Sequence, residues 1–245
     1  MAPGTEIRAE AGASHDGSQP MRGLVVVEFS TSVAGPFAGQ VLADLGATVY
    51  KVENPRGGDD ARHWGPPFVD GVAPVFQTFN RNKHSLAVDL KNPAERAALG
   101  DFIAAKADIV LQNLRPGLTE HYGLDAATLR ARKPSLICCN LSAFGSVGPR
   151  RMQPGYDPLM QACGGIMSTT GVEGHEPVRV GPSLVDQGAG MWAVIGILSA
   201  LLERDRTGAG STIDTSLYET AVGWLPAQVA TYLASGKVPR RMGTE

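Results

Sequence analysis

From residue 24 onward, apolar runs of strand length alternate with segments whose apolar residues recur every three or four positions. Residues 24–29 form a continuous valine-rich run, as expected of a strand covered on both faces. Residues 34–45 then place Phe37, Val41, Leu42 and Leu45 along one side of a helix. A second strand is predicted over 48–53, followed by a loop beginning Asn54-Pro-Arg-Gly-Gly. The alternation continues with strands over 85–90, 108–113 and 135–141, separated by helices over 92–105 and 125–132. Pro93 suits the first turn of the former helix, where its missing N–H costs nothing. Strands spaced by helices pair in parallel, so the predicted fold is α/β, with a doubly wound, mainly parallel, Rossmann-like sheet.

Beyond Phe144 the texture changes and glycine becomes frequent, which marks tight loops and close backbone approaches. An apolar helix is predicted from Asp186 to about Arg206, ended by the C-capping run Thr207-Gly-Ala-Gly. A strand over 211–217 and a last helix over 218–235 complete the pattern. The longest apolar run, 191–202, is too short to span a bilayer and reads as a buried helix. Residues 1–20 are small and polar, with Glu6, Glu10 and Asp16, and are expected to form a disordered leader. The expected organisation is therefore a leader, a main domain over 21–217, and a helix with the start of a linker over 218–245.

Composition narrows the picture slightly. The chain has 245 residues, 43% hydrophobic and 19% charged, enough to bury a substantial core. A net charge of −2 gives no global attraction to nucleic acid or to an anionic membrane, so local basic residues must supply any anion recognition. Three cysteines, Cys138, Cys139 and Cys163, lack metal-ligand spacing and suggest reduced thiols in a cytoplasmic protein. Five histidines form no ligand pair either, so no metal site is expected.

Candidate chemistry gathers at four places. At the first strand–helix junction, Ser30-Thr-Ser-Val-Ala-Gly-Pro leaves backbone N–H groups free for an anion, or is simply a structural turn. Loops after strand ends carry Lys51, Arg56, Arg62, Arg81, Lys83, His84 and Arg115, which either converge on phosphates or remain solvated. Asp157, after Gly155-Tyr156, is either an acid/base group or a helix cap. Asp186 stands at the mouth of an apolar helix, where the dipole and unpaired N–H groups would hold it ionised as a nucleophile; the alternative is an ordinary N-cap. The fingerprints G-x-G-x-x-G, G-x-x-x-x-G-K-[ST] and G-x-S-x-G are all absent, which argues against dinucleotide enzymes, P-loop nucleotidases and α/β serine hydrolases.

Several of these stretches, taken in order, resemble the class III CoA-transferases, the family of formyl-CoA transferase, carnitine CoA-transferase and α-methylacyl-CoA racemase. They are Ala34-Gly-Pro, Leu45-Gly-Ala-Thr-Val-Tyr-Lys-Val-Glu, Gly57-Gly-Asp-Asp-Ala-Arg, Phe79-Asn-Arg-Asn-Lys-His-Ser, Asn113-Leu-Arg-Pro-Gly, Gly155-Tyr-Asp and the Asp186 helix. The resemblance implies transfer of coenzyme A from an acyl-CoA donor to a carboxylic acid acceptor. Asp186 would attack the thioester to give a mixed anhydride, then an aspartyl-CoA thioester, with Asp157 as the second catalytic carboxylate. Gly188 and Gly190 would offer N–H groups to the oxyanions. Val33, Ala34, Arg62, Asn113, Leu114 and Tyr156 match family positions lining the coenzyme A site. Coenzyme A enters as substrate, and no tightly bound cofactor is expected.

Two departures matter. Racemases of the family carry Gly-His-Asp where this chain has Gly155-Tyr-Asp, and the preceding helix over 125–132 has no histidine, so two-base racemisation is disfavoured. His121-Tyr122 stands where an arginine is common, which weakens one expected phosphate contact. The family also implies a small second domain, a returning C-terminal segment and an interlocked homodimer. This chain is expected to lack both additions, so a non-catalytic coenzyme A-binding half that needs a partner chain is an alternative to a transferase.

Overall fold

The computed structural model describes residues 19–243, so residues 1–18 of the expected leader lie outside it. Its centre is a six-stranded sheet built from β1 (Val25–Phe29), β2 (Thr48–Glu53), β3 (Lys83–Ala87), β4 (Ile109–Gln112), β5 (Ile137–Ser142) and β6 (Thr212–Ser216). All neighbours pair in parallel, in the order β3-β2-β1-β4-β5-β6. The order reverses between β1 and β4, the switch point at which crevices open beyond the carboxyl ends of strands.

The connecting elements are α1 (Ala34–Asp44), a 3-10 turn over Asp60–His63, α2 (Pro74–Asn80), α3 (Pro93–Lys106), α4 (Leu118–Tyr122) and α5 (Ala126–Arg132). After β5 come α6 (Asp157–Cys163), α7 (Ile166–Thr169) and the long α8 (Leu184–Thr207); α9 (Leu217–Gly223) and α10 (Pro226–Ser235) follow β6. Capping follows the sequence closely. Asn92 caps α3 by accepting from Ala94 N, and Glu95 reaches back to Asp89 N, which fixes the turn after β3.

Adjacent strand residues feed opposite layers. Val26, Val49, Leu111 and Cys139 pack beneath α1 and α8, while Val27, Val52, Val110 and Cys138 pack beneath α3 and α5. Cys138 and Cys139 thus act as small core hydrophobes, and burial pushes both thiols up to about 12. The glycines of α8 serve close packing. A methyl on Gly190 would lie 2.7 Å from Ala34 O, and one on Gly188 would lie 2.4 Å from the Trp224 ring.

Several expectations need correction. β3 begins at Lys83 rather than 85, because Lys83 pairs in register with Val49 and turns its side chain inward. Helix α2 was not foreseen, being a short apolar segment with no buried residue and a weak period. The last helix is two helices, because Pro226 cannot continue the hydrogen bonding of α9. By length and composition alone α8 would suffice to cross a membrane, but here it packs on α1, α9 and the sheet. Its outer side leaves Met191, Trp192, Ile195 and Leu202 exposed.

Candidate active site

Asp186 is the third residue of α8, after an N-cap at Ser183 whose side chain makes no capping bond. The orphan N–H groups of that first turn are nevertheless filled. Leu184 N donates to Pro182 O at 2.8 Å. Val185 N and Asp186 N donate to Asp157 Oδ2 at 2.7 and 3.2 Å. A carboxylate from α6 therefore caps α8 from outside.

This arrangement reverses the expected electrostatics of Asp186. Its side chain is 8% exposed, and among the described residues no hydrogen bond or ion pair reaches its carboxylate. Burial, and then the Asp157 charge beside it, push its carboxyl up to about 7. The helix terminus does not hold it ionised, because Asp157 has taken the N–H groups that would have done so. An uncommitted carboxylate of raised basicity is a better nucleophile than an ordinary surface aspartate.

Asp157 stands as a capping group, the second of the two readings its sequence position allowed. It is 2% exposed, and both oxygens are engaged, Oδ1 by Gln161 Nε2 at 2.5 Å and Oδ2 by the two amides. Tyr156 is the N-cap residue of α6, and its exposed ring stands beside this pair in the chain. Gly188 and Gly190 lie inside α8, where their N–H groups are bound to carbonyls four residues back. They cannot serve oxyanions and act instead as contact points.

Through Gly190 the structure brings the first junction to the same face. Asp186 and Gly190 are one turn apart on one side of α8, and Ala34 O packs against Gly190. Val33 and Ala34, buried at the N-cap and first position of α1, thus stand next to the turn carrying Asp186. Asn113, just past β4, holds the junction from the other side, accepting from Thr31 N and donating to Thr31 O, both at 2.9 Å. Ser32 adopts a left-handed φ of 71° there, with its N–H donated to Asp59 Oδ1 at 2.9 Å. A non-glycine residue in that region is strained, and this one is held by bonds on both flanks.

The basic residues do not converge as expected. Arg62 is bound through both Nε and Nη2 to Glu53, at 2.7 and 2.8 Å, and its guanidinium lies 3.7 Å from the centre of the Phe76 ring. Burial opposes the charge of Glu53, but Arg62 and the Asp59 N–H hold its carboxyl below the usual range. Lys51 and Lys83 belong to strands and are buried. Lys51 pairs with Glu28 and Asp59, and Lys83 with Glu28. Burial pulls the Lys83 ammonium down to about 8, whereas Glu28 and Asp59 outweigh burial at Lys51 and hold it above its ordinary value. Arg56 and Arg81 pair with Asp89 and Asp44. Lys51, Lys83 and Arg62 thus balance Glu28 of β1, Glu53 of β2 and Asp59 just beyond β2, a demand visible only once the strands lie side by side.

Removing Arg62 should therefore act chiefly on stability. Arg62→Ala is expected to cost about 1–2 kcal/mol, by leaving Glu53 short of its bidentate partner, and to change coenzyme A affinity less than threefold. Thermal melts and ligand titration read the two effects. A tenfold loss of affinity at unchanged melting temperature would show Arg62 meeting phosphate after all.

Two clefts open at the carboxyl ends of the strands. One, about 180 Å³, lies at the switch point and is lined by Phe29, Thr31, Asn54, Val88, Leu114 and Tyr122. A wider one, about 550 Å³, lies beyond β4–β6 and includes Arg115 and Arg151. Its wall carries a ladder that no motif announced, Gln112 to Asn140 to Asp214, with both links at 2.9 Å. The other residue missed was Gln161. Its only sequence signal is a polar side chain one turn after Asp157 in an apolar helix.

A doubly wound parallel sheet, with a crevice at its switch point and a largely buried carboxylate in the first turn of a long helix packed on it, defines an α/β protein of Rossmann-like class. Comparison with known proteins gives the family: residues 21–245 match the model of CoA-transferase family III, and the chain belongs to it. It is 41% identical over 230 residues to the succinate–glutarate CoA-transferase of Agrobacterium fabrum, covering 91% of this chain and 57% of that protein. It is 38% identical over 229 residues to succinyl-CoA:glutarate CoA-transferase of the mouse, covering 94% and 52%. A solved CAIB/BAIF family protein from Brucella suis superimposes with a TM-score of 0.87 at 45% identity, over 91% of this chain and 60% of that one. The chain thus spans a little over half the length of the curated relatives it matches.

Proposed function

We propose that this chain carries the nucleophile and the coenzyme A wall of a transferase that moves coenzyme A from succinyl-CoA to a short dicarboxylic acid such as glutarate. The observation that carries this reading is Asp186: mostly buried, unpaired, raised in basicity and fixed on a helix terminus beside the Val33–Ala34 junction. The activities of the relatives at 41% and 38% identity support the choice of acids.

The chemistry conserves the thioester's energy through four exchanges. Ionised Asp186 attacks the acyl carbon, the C–S bond breaks, and coenzyme A leaves as thiolate from an aspartyl–succinyl anhydride. The thiolate attacks the aspartyl carbon of that anhydride, releasing succinate and leaving an aspartyl-CoA thioester. The incoming acid's carboxylate attacks this thioester, giving a new anhydride and the thiolate again. Attack of the thiolate on the new acyl carbon yields the product acyl-CoA and restores the Asp186 carboxylate. No proton is transferred in any step, consistent with Asp157 being fully engaged in hydrogen bonds. Coenzyme A is substrate throughout. The switch-point cleft and Asn113–Leu114 would receive its nucleotide end.

Incubating the chain with succinyl-CoA, trapping with hydroxylamine and mapping peptides tests this reading. A hydroxamate at Asp186 is expected. Because the nucleophile is the ionised form, its rate of formation should fall about tenfold per pH unit below about 7 and level off above it. An adduct elsewhere, or a rate that levels off already near pH 4, would overturn the assignment.

A further inference from the structure

We propose that Gln161 is a positioning residue for Asp186, acting through Asp157 and the Val180 backbone. The proposal rests on the reading of Asp186 as nucleophile and deepens it.

Gln161 is 0% exposed, yet every polar atom of its side chain is engaged. Oε1 accepts from Val180 N at 2.8 Å. Nε2 donates to Asp157 Oδ1 at 2.5 Å and to Val180 O at 3.3 Å. Asp157 lies one turn earlier on the same side of α6, so the two side chains form one latch. Asp157 grips Val185 N and Asp186 N, and Gln161 grips both backbone groups of Val180. The latch therefore holds the two ends of the turn through which the chain enters α8.

That entry needs holding. Residues 172–179, which lead to it, are exposed, as are Gly181 and Pro182 within the turn. Of the first two turns of α8, Val185 and Ala189 reach the core while Gly188 and Gly190 pack by backbone alone, so the first turn has little side-chain grip besides Val185. Without the latch, Asp186 would stand at the frayed end of a helix fed by a solvent-exposed loop. Attack on a thioester needs the carboxylate placed to within about half an ångström, so small play at this terminus costs rate rather than binding.

An apolar side chain of the same length would fill the space beside Asp157 equally well. Burying an amide there instead is costly unless its bonds are needed, and here those bonds order one carboxylate and one loop. Asp157 is the charged group that acts on the Asp186 carboxyl, so the latch also fixes the distance between the two.

The test compares Gln161→Met and Asp157→Asn with the parent 245-residue chain. Three quantities are read: hydrogen exchange of the Val185 and Asp186 amides, affinity for succinyl-CoA, and the single-turnover rate of hydroxamate formation at Asp186. Gln161→Met keeps the packing volume and removes all three bonds. It should speed exchange at those two amides at least tenfold and slow acylation at least tenfold, with affinity changed less than threefold. Asp157→Asn keeps one acceptor oxygen for the two amides but turns an Nδ2 donor toward the Gln161 Nε2 donor, so it breaks the link between the two side chains and should also speed exchange at both amides.

Unchanged exchange and unchanged acylation in a folded Gln161→Met protein would overturn the proposal. So would an equal fall in affinity and rate accompanied by loss of protection across the whole sheet, which is what a purely structural glutamine gives. Should the methionine variant not fold, the proposal stands or falls on Asp157→Asn: parent-like protection at Val185 and Asp186 would overturn it. Absence of any hydroxamate in the parent chain overturns the nucleophile assignment instead, and the amide exchange separates that failure from failure of the latch.

Discussion

Asp186→Asn is expected to abolish the trapped adduct, by on the order of 10⁴-fold or more, and at the same time to make the protein more stable above neutral pH. Both effects come from one cause. The folded protein raises this carboxyl from an ordinary 3.8 to about 7, so between those values the folded state binds a proton that the unfolded chain has released. Stability therefore declines as pH rises from about 4 to about 7, and the full cost is present above that. A shift of this size corresponds to on the order of 4 kcal/mol. Asparagine is close in shape and carries no charge, so it removes the cost without opening a cavity. Denaturant titrations of both proteins at pH 5 and pH 8 measure it. The variant should be more stable by about 1–2 kcal/mol at pH 5, where the unfolded chain has already released most of the proton, and by more at pH 8. Equal stability at pH 8 would mean that Asp186 is solvated and not desolvated as its burial indicates. Such a gain in stability on removing a reactive group is the expected signature of a site whose strain serves function.

Gly190→Ala should have the largest structural effect of any single methyl near the site. In an exposed helix the exchange would stabilise by up to about 1 kcal/mol, because alanine loses less backbone freedom. Here the added carbon would sit 2.7 Å from Ala34 O and 2.9 Å from the Phe37 ring, and the oxygen belongs to the first turn of α1. A backbone atom cannot swing aside as a side chain can, so α1 and α8 must separate. We expect a loss of about 3 kcal/mol, or roughly 6–10 °C in melting temperature for a domain of this size. Separation also carries Val33 and Ala34 away from the turn bearing Asp186. The acylation rate measured below the melting transition should fall more than coenzyme A affinity does. A variant as stable as the parent would show that the α1–α8 contact is looser than this geometry.

The parallel α/β architecture was legible because its signal is local. Valine-rich runs such as 24–29 can be buried only between two helical layers, and the helices between them announce their own caps at Asn92 and Asp125. Asp186 stood out in the sequence too, from its place before a long apolar helix and from the ordered motifs shared with the family. Its electrostatics were not. The expectation that the helix terminus would hold it ionised failed because Asp157, 29 residues earlier, occupies the N–H groups. Gly188 and Gly190 invited an oxyanion role on proximity alone, and helix geometry withdrew it.

The sequence by itself determined the alternation of strands and helices that builds the parallel sheet, the family motifs and the residue proposed as nucleophile. Each depends on spacing along the chain or on residue type. Only the tertiary structure decided which charges are free to act. Lys51, Lys83 and Arg62 could be read as phosphate ligands or as solvated charges, yet they neutralise Glu28, Asp59 and Glu53 once three strands stand side by side. Asp157 read as an acid or base, yet it caps a distant helix. A buried charge must find its partner through space, and the nearest partner in space is rarely the nearest in sequence.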